Sequence, residues 1–157
     1  MANGNCQDSD EDTHYQASIK TTKGVALDIF AKCAKFNEDI YSKFLAPYYK
    51  TDMYAETWQR GEPEDNFKSF CREYKVENVK SIILSDDVKF PSLDDHSKWA
   101  ITATDSESRI CIGDINRQVG QKERCGGMVC AELPEVRKTY ESFISGIEKC
   151  EDERDEL

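Results

Sequence analysis

The run Lys75–Leu84, carrying Val76, Val79, Ile82 and Leu84, reads as a strand and constrains the fold more than any other segment. Several shorter strand candidates lie around it, Asp52–Trp58 by its alternation of Met53, Ala55 and Thr57 against Tyr54, Glu56 and Trp58. Ala17–Thr22, Asp52–Trp58, His96–Thr102, Ser108–Ile112 and Met128–Ala131 are strand candidates, most of them ended by Gly, Pro or Asp-Ser turn residues. Helical patterns come in separate places. Lys23–Lys35 carries an imperfect helical stripe of Val25, Leu27, Ile29, Phe30 and Cys33. Asn37 is placed to cap a second helix through Ile40, Tyr41, Phe44 and Leu45, ending before Pro47. Pro134 opens a last helix whose apolar stripe is Val136, Tyr140, Phe143, Ile144 and Ile147. Strands mixed with helices that do not strictly alternate predict an α/β fold, a mixed sheet covered by helices.

The chain has 157 residues, enough for one domain with one core. No apolar run approaches the roughly 18 residues that span a bilayer, so no membrane role is expected. Met1–Asp12 contains no apolar segment of the signal-peptide kind. The net charge of −10 argues against a polyanionic partner at neutral pH. Its distribution softens that argument. Residues 1–16, an expected disordered acidic leader, carry −4, and residues 148–157 carry another −4, which leaves −2 on the body. Binding to a polyanion is expected to improve in acid, where carboxylates neutralise and imidazoles charge.

Within residues 96–124 lies the stretch with most chemical content. His96 and Lys98 stand two apart, followed by Gly113-Asp114-Ile115-Asn116-Arg117. In a strand, positions i and i+2 share a face, so an imidazole and an ammonium would point together. That pair suits a phosphate ester better than a metal, because the ammonium repels a cation; no metal and no cofactor are expected. Gly113 allows close backbone approach and Asn116 offers an amide donor and acceptor. His-x-Lys alone also describes a surface histidine near a lysine on a strand edge.

Seven cysteines are present: Cys6, Cys33, Cys71, Cys111, Cys125, Cys130 and Cys150. No C-x-x-C pair occurs and there are two histidines, which disfavours zinc and fits a disulfide-bearing secretory protein.

Three segments carry a specific resemblance. Asp95-His96-Ser97-Lys98-Trp99, the Cys-x-Gly-Asp-x-Asn-Arg run from Cys111 to Arg117, and Arg124-Cys125-Gly126-Gly127-Met128-Val129-Cys130-Ala131-Glu132-Leu133-Pro134 resemble the deoxyribonuclease II family. Upstream, Phe30–Phe36 and Asp39-Ile40-Tyr41-Ser42 resemble it too. The likeness runs from about residue 18 to about residue 150 and answers to the C-terminal half of the family's full-length protein. Residues 17–150 are thus expected to form that half, with 151–157 an acidic tail.

The resemblance implies a phospholipase D-like mixed β-sheet flanked by helices, one half of a pseudo-twofold pair. Each half of such an enzyme supplies one His-x-Lys motif. His96, Lys98 and Asn116 would be the catalytic residues of the second motif, with Asp114, Gly113 and Arg117 binding phosphate or supporting it. Disulfides Cys111–Cys130 and Cys71–Cys150 are implied; Cys125 stays free or pairs with Cys33 or Cys6. DNA would be the substrate, cut without metal at acid pH, and the compartment lysosomal or extracellular. Arg154-Asp155-Glu156-Leu157 also resembles an endoplasmic reticulum retrieval signal. The chain departs from the pattern at Ala100, where Cys is frequent, and at Cys125, which interrupts Arg-Gly-Gly-Gly. It has no Asn-x-Ser/Thr acceptor. It also lacks the first His-x-Lys: the other histidine, His14, precedes Tyr15-Gln16. A homodimer or a separate N-terminal half would have to supply it. The alternative is a catalytically inactive secreted relative that binds nucleic acid or a protein partner.

Overall fold

The structure, a computed structural model, describes residues 13–150. The expectations for Met1–Asp12 and for residues 151–157, including the retrieval-like ending, lie outside the described residues. Nine strands form one mixed sheet: β1 His14–Lys20, β2 Ala26–Lys32, β3 Met53–Thr57, β4 Val76–Ser85, β5 Val88–Pro91, β6 Lys98–Thr102, β7 Arg109–Gly113, β8 Gly126–Glu132 and β9 Ile144–Glu148. Their spatial order is β1-β2-β8-β7-β6-β3-β4-β5, with β9 also on β4. Two helical segments cover the sheet. A π-helical stretch, Tyr41–Leu45, runs into the α-helix Ala46–Tyr49 (α1), and Pro134–Phe143 forms α2. This is the α/β mixed sheet flanked by helices that the sequence predicts.

Each face of the sheet buries its own apolar cluster. Phe30, Ile40, Tyr41, Leu45, Met53, Val76 and Met128 pack together on the α1 side. Val79, Ile82, Trp99, Ile101 and Ile110 pack with Tyr140 and Phe143 on the α2 side. Alternate residues of β3 and β6 feed the two clusters, as a pleated strand buried on both faces requires.

Several sequence expectations are corrected here. Residues 14–16 belong to strand β1, not to a leader. The stretch 23–35 is not a helix: it contains β2, paired with β1 and β8. Its inward positions read Asp28-Phe30-Lys32, so polar residues hid the two-residue period. Asp28 accepts from the Tyr49 hydroxyl at 2.9 Å, and the Lys32 ammonium donates to the carbonyls of Gln121, Lys122 and Arg124 at 3.0, 2.7 and 2.6 Å. Pro47 does not end the second helix. It sits in the first turn of α1, where its missing N–H costs nothing. The last helix stops at Phe143, and Ile144 and Ile147 belong to β9 against β4. Arg137, not Val136, takes the buried position of α2; its guanidinium donates to Thr102 O, Asp105 and Glu141. The short strand β5 comes from a segment with no strand candidate in the sequence reading.

Both implied disulfides are present, Cys111–Cys130 and Cys71–Cys150. The first joins directly opposed residues of β7 and β8. The second ties the segment before β4 to the end of β9 across 79 residues of sequence.

Candidate active site

The site forms where β4 changes partners. Asn78 pairs with Ala55 of β3 on one edge and Glu148 of β9 on the other; farther along, Ile82 pairs with Phe90 of β5 and Ile144 of β9. β3 and β5 therefore share one edge of β4, and the end of β3 abuts the end of β5. The chain leaves β5 at Pro91, makes a 3₁₀ turn over Ser92–Asp94, passes through Asp95-His96-Ser97 and enters β6 at Lys98 beside Thr57.

His96 thus stands on the turn before β6, not in the strand as the sequence suggests. A side chain two residues short of a strand escapes the alternation that governs it. The imidazole is exposed, and Lys98 is half-buried. They still meet: His96, Ser97, Lys98, Trp99, Ile112, Gly113, Asp114 and Tyr140 line one open cavity of about 400 Å³. The Lys98 ammonium folds back to donate to His96 O at 2.6 Å. Asp95 shapes the turn by accepting from Ser97 N at 2.8 Å and Ser97 Oγ at 2.6 Å.

Trp58, at the end of β3, holds this turn from beneath. Its ring centroid lies 3.8 Å from that of His96, with planes inclined by 32°. Its Nε1–H donates to Leu93 O at 2.9 Å, and the Arg60 guanidinium covers the ring 4.4 Å from its centroid. In the sequence Trp58 reads only as a strand residue. The signal available was its place at the end of the strand that pairs with Lys98.

The remaining candidates divide. Gly113 lines the cavity, but its missing Cβ is needed for packing: a methyl there would strike Met128 and Gly127 O. Asp114 lines the cavity with one oxygen spent on the Gly127 amide at 2.8 Å. Asn116 is buried and is not among the lining residues. Its backbone N–H donates to Gln121 Oε1 at 2.7 Å, while its Oδ1 has no hydrogen-bond partner among the described residues. Arg117 is 1% exposed. Its guanidinium donates to Asp39 at 3.1 Å, to Val76 O at 3.3 Å, to Lys68 O at 3.2 Å and to Asn78. Asp39 in turn accepts from Tyr41 N and Ser42 N at the start of the Tyr41–Tyr49 helical segment. Arg117 braces the Gly-Asp-x-Asn turn against that segment, where a phosphate has no access. Trp99 is core, edge-on to Tyr140 at 5.1 Å.

His14 stands at the start of β1, its ring 4.5 Å from Phe44 and 4.7 Å from Phe36. Four strand spacings separate β1 from β6, about 19 Å. It does not share the His96 cavity.

A family profile described as deoxyribonuclease II matches residues 1–150. The chain belongs to the deoxyribonuclease II family. Among curated relatives it is similar to Plancitoxin-1 of Acanthaster planci, 38% identical over 136 residues, 86% of this chain and 37% of that protein. It is similar to human Deoxyribonuclease-2-beta, 34% identical over 135 residues, 85% and 37% of the two chains. It is also similar to Deoxyribonuclease-2 of Caenorhabditis elegans, 37% identical over 135 residues, 84% and 34%. The chain spans a little over a third of the length of these relatives.

Proposed function

We propose that this chain supplies one half of a metal-independent acid deoxyribonuclease site, with His96 and Lys98 as its reactive pair. The observation that carries the reading is that both residues line one cavity, the imidazole exposed and the ammonium donating to a backbone carbonyl. That carbonyl is a ligand a phosphoryl oxygen can replace, since the charged acceptor is the stronger one. Asn116 is the next candidate, with a carboxamide oxygen that lacks a partner among the described residues. Asp114, Gly113 and Arg117 hold the turn that carries it.

Hydrolysis through phosphohistidine needs two imidazoles. One attacks phosphorus and forms the P–N bond as the P–O bond to the leaving oxygen breaks. The other gives that oxygen a proton, then takes one from the water that releases the phosphate. Lysine and asparagine hold the charged phosphoryl oxygens through both steps. One histidine lines this cavity, and the second comes from a second copy across a twofold axis or from a half carrying the first His-x-Lys. Proteins of this family with disulfides suit the secretory pathway, and a lysosomal or extracellular setting is part of the proposal.

The one histidine of this cavity also favours a second reading: a relative that binds DNA or a protein partner in acid without cutting. Light scattering at about pH 5, paired with release of acid-soluble nucleotide from DNA, separates the two. Turnover by a dimer or a two-part complex supports the nuclease. DNA retained by a monomer without turnover selects the binding protein.

A further inference from the structure

Glu56 lies in β3 opposite Trp99 of β6 and is fully buried. A carboxyl in that position is costly unless it is neutral or paired. Among the described residues no cation touches it. Lys80 on β4 acts on it at a distance, with its ammonium directed to Gln59 Oε1 at 3.5 Å and Glu148 at 4.0 Å. Asp95, on the turn above, is a like charge, and the buried Tyr41 phenol also senses Glu56. Lys98 belongs to the other face of β6, beside Thr57.

Hydrogen-bond accounting locates a proton. Ser92 Oγ lies 2.6 Å from Glu56 Oε2 and 2.8 Å from Val79 O. A hydroxyl has one proton to give, and a carbonyl oxygen has none. Both contacts are hydrogen bonds only when Ser92 donates to Val79 O and Glu56 donates to Ser92. The other oxygen, Oε1, has no partner among the described residues, which a neutral C=O tolerates far better than a carboxylate.

We propose that Glu56 is a positioning residue kept protonated, whose proton clasps the Ser92–Asp94 turn and so holds His96 over Trp58. Burial pushes this carboxyl up to about 8, with Asp95 adding to the rise and the Ser92 hydroxyl and Lys80 opposing it. Below that pH the clasp is closed. Above it, an ionised Glu56 and Val79 O compete for the one Ser92 proton, and the turn loosens. The meaning for catalysis rests on the nuclease reading; the clasp itself does not.

Carboxyl-carbon NMR of the full chain labelled at glutamate reads the Glu56 proton directly, and ring-proton NMR of His96 reads the turn. The chain has two histidines, so a His14→Gln variant assigns the spectrum. The expected result is a Glu56 midpoint near 8, with the His96 ring signals moving out of the Trp58 ring current over the same pH range. Glu56→Gln, which keeps a neutral donor, should leave them in place to pH 9. Where that variant does not fold, the wild-type titration decides alone. A Glu56 midpoint below about 6, or a midpoint near 8 that His96 does not follow, overturns the proposal. So does a Glu56→Gln variant whose His96 signals move as in wild type. None of these outcomes depends on whether DNA is cut.

Discussion

The imidazole of His96 rests on the indole of Trp58, with ring centroids 3.8 Å apart. The two residues come from strand ends far apart in sequence, and the stack joins the end of β3 to the turn before β6. An aromatic pair of this kind contributes about 0.5–1.5 kcal/mol beyond its buried area. Trp58 Nε1 adds a hydrogen bond to Leu93 O, one turn upstream of His96.

Replacing Trp58 with Leu should free the imidazole while leaving the sheet intact. DNA cleavage is expected to fall about 3- to 10-fold, from loss of the stack. Trp58→Phe keeps a ring under His96 and should recover most of it. Steady-state rates of the two variants, alongside the upfield displacement of the His96 ring protons, check this.

Arg117 gives a sharper contrast, because its sequence setting suggested phosphate binding as well as support. Its guanidinium is buried against Asp39 and two backbone carbonyls. Arg117→Met should cost about 3–5 kcal/mol, the penalty for leaving Asp39 buried without its partner. Urea unfolding measures it as a lower midpoint at unchanged slope. A stable variant with a raised KM for DNA would return Arg117 to the phosphate.

The pH dependence of stability follows from Glu56. Its carboxyl is pushed up to about 8 in the folded chain from an ordinary 4.5. Between those values the folded state holds a proton that the unfolded state has released. Stability is therefore fully present below about 4.5 and is lost as pH rises through about 8. Thermal melts should show a falling Tm across that window, and Glu56→Gln should flatten the curve relative to wild type.

Much of this was legible in the amino acids. Strands β4, β6 and β7 follow from β-branched residues between turn residues, β3 from its two-residue alternation, part of β8 from Met128–Ala131, and α2 begins at its proline as expected. The four cysteines of the two disulfides follow from the family resemblance. β2 was not legible, because Asp28 and Lys32 occupy inward positions whose partners, Tyr49 and three loop carbonyls, are distant in sequence. β9 was hidden because Ile144 and Ile147 continue the helical spacing of Tyr140, and only β4 turns them into a strand. At the site, His96 and Lys98 stood out by residue type. Trp58 and Glu56 did not, since their roles come from the meeting of β3 with β5 on one edge of β4, a long-range fact with no local pattern.

Supercoiled plasmid nicking in EDTA at about pH 5 tests the central assignment most directly, comparing wild type with His96→Ala on material of measured mass. Nicked circles are expected from wild type, as a dimer or joined to a half that carries another His-x-Lys, and none from His96→Ala. Undiminished nicking by His96→Ala would contradict it.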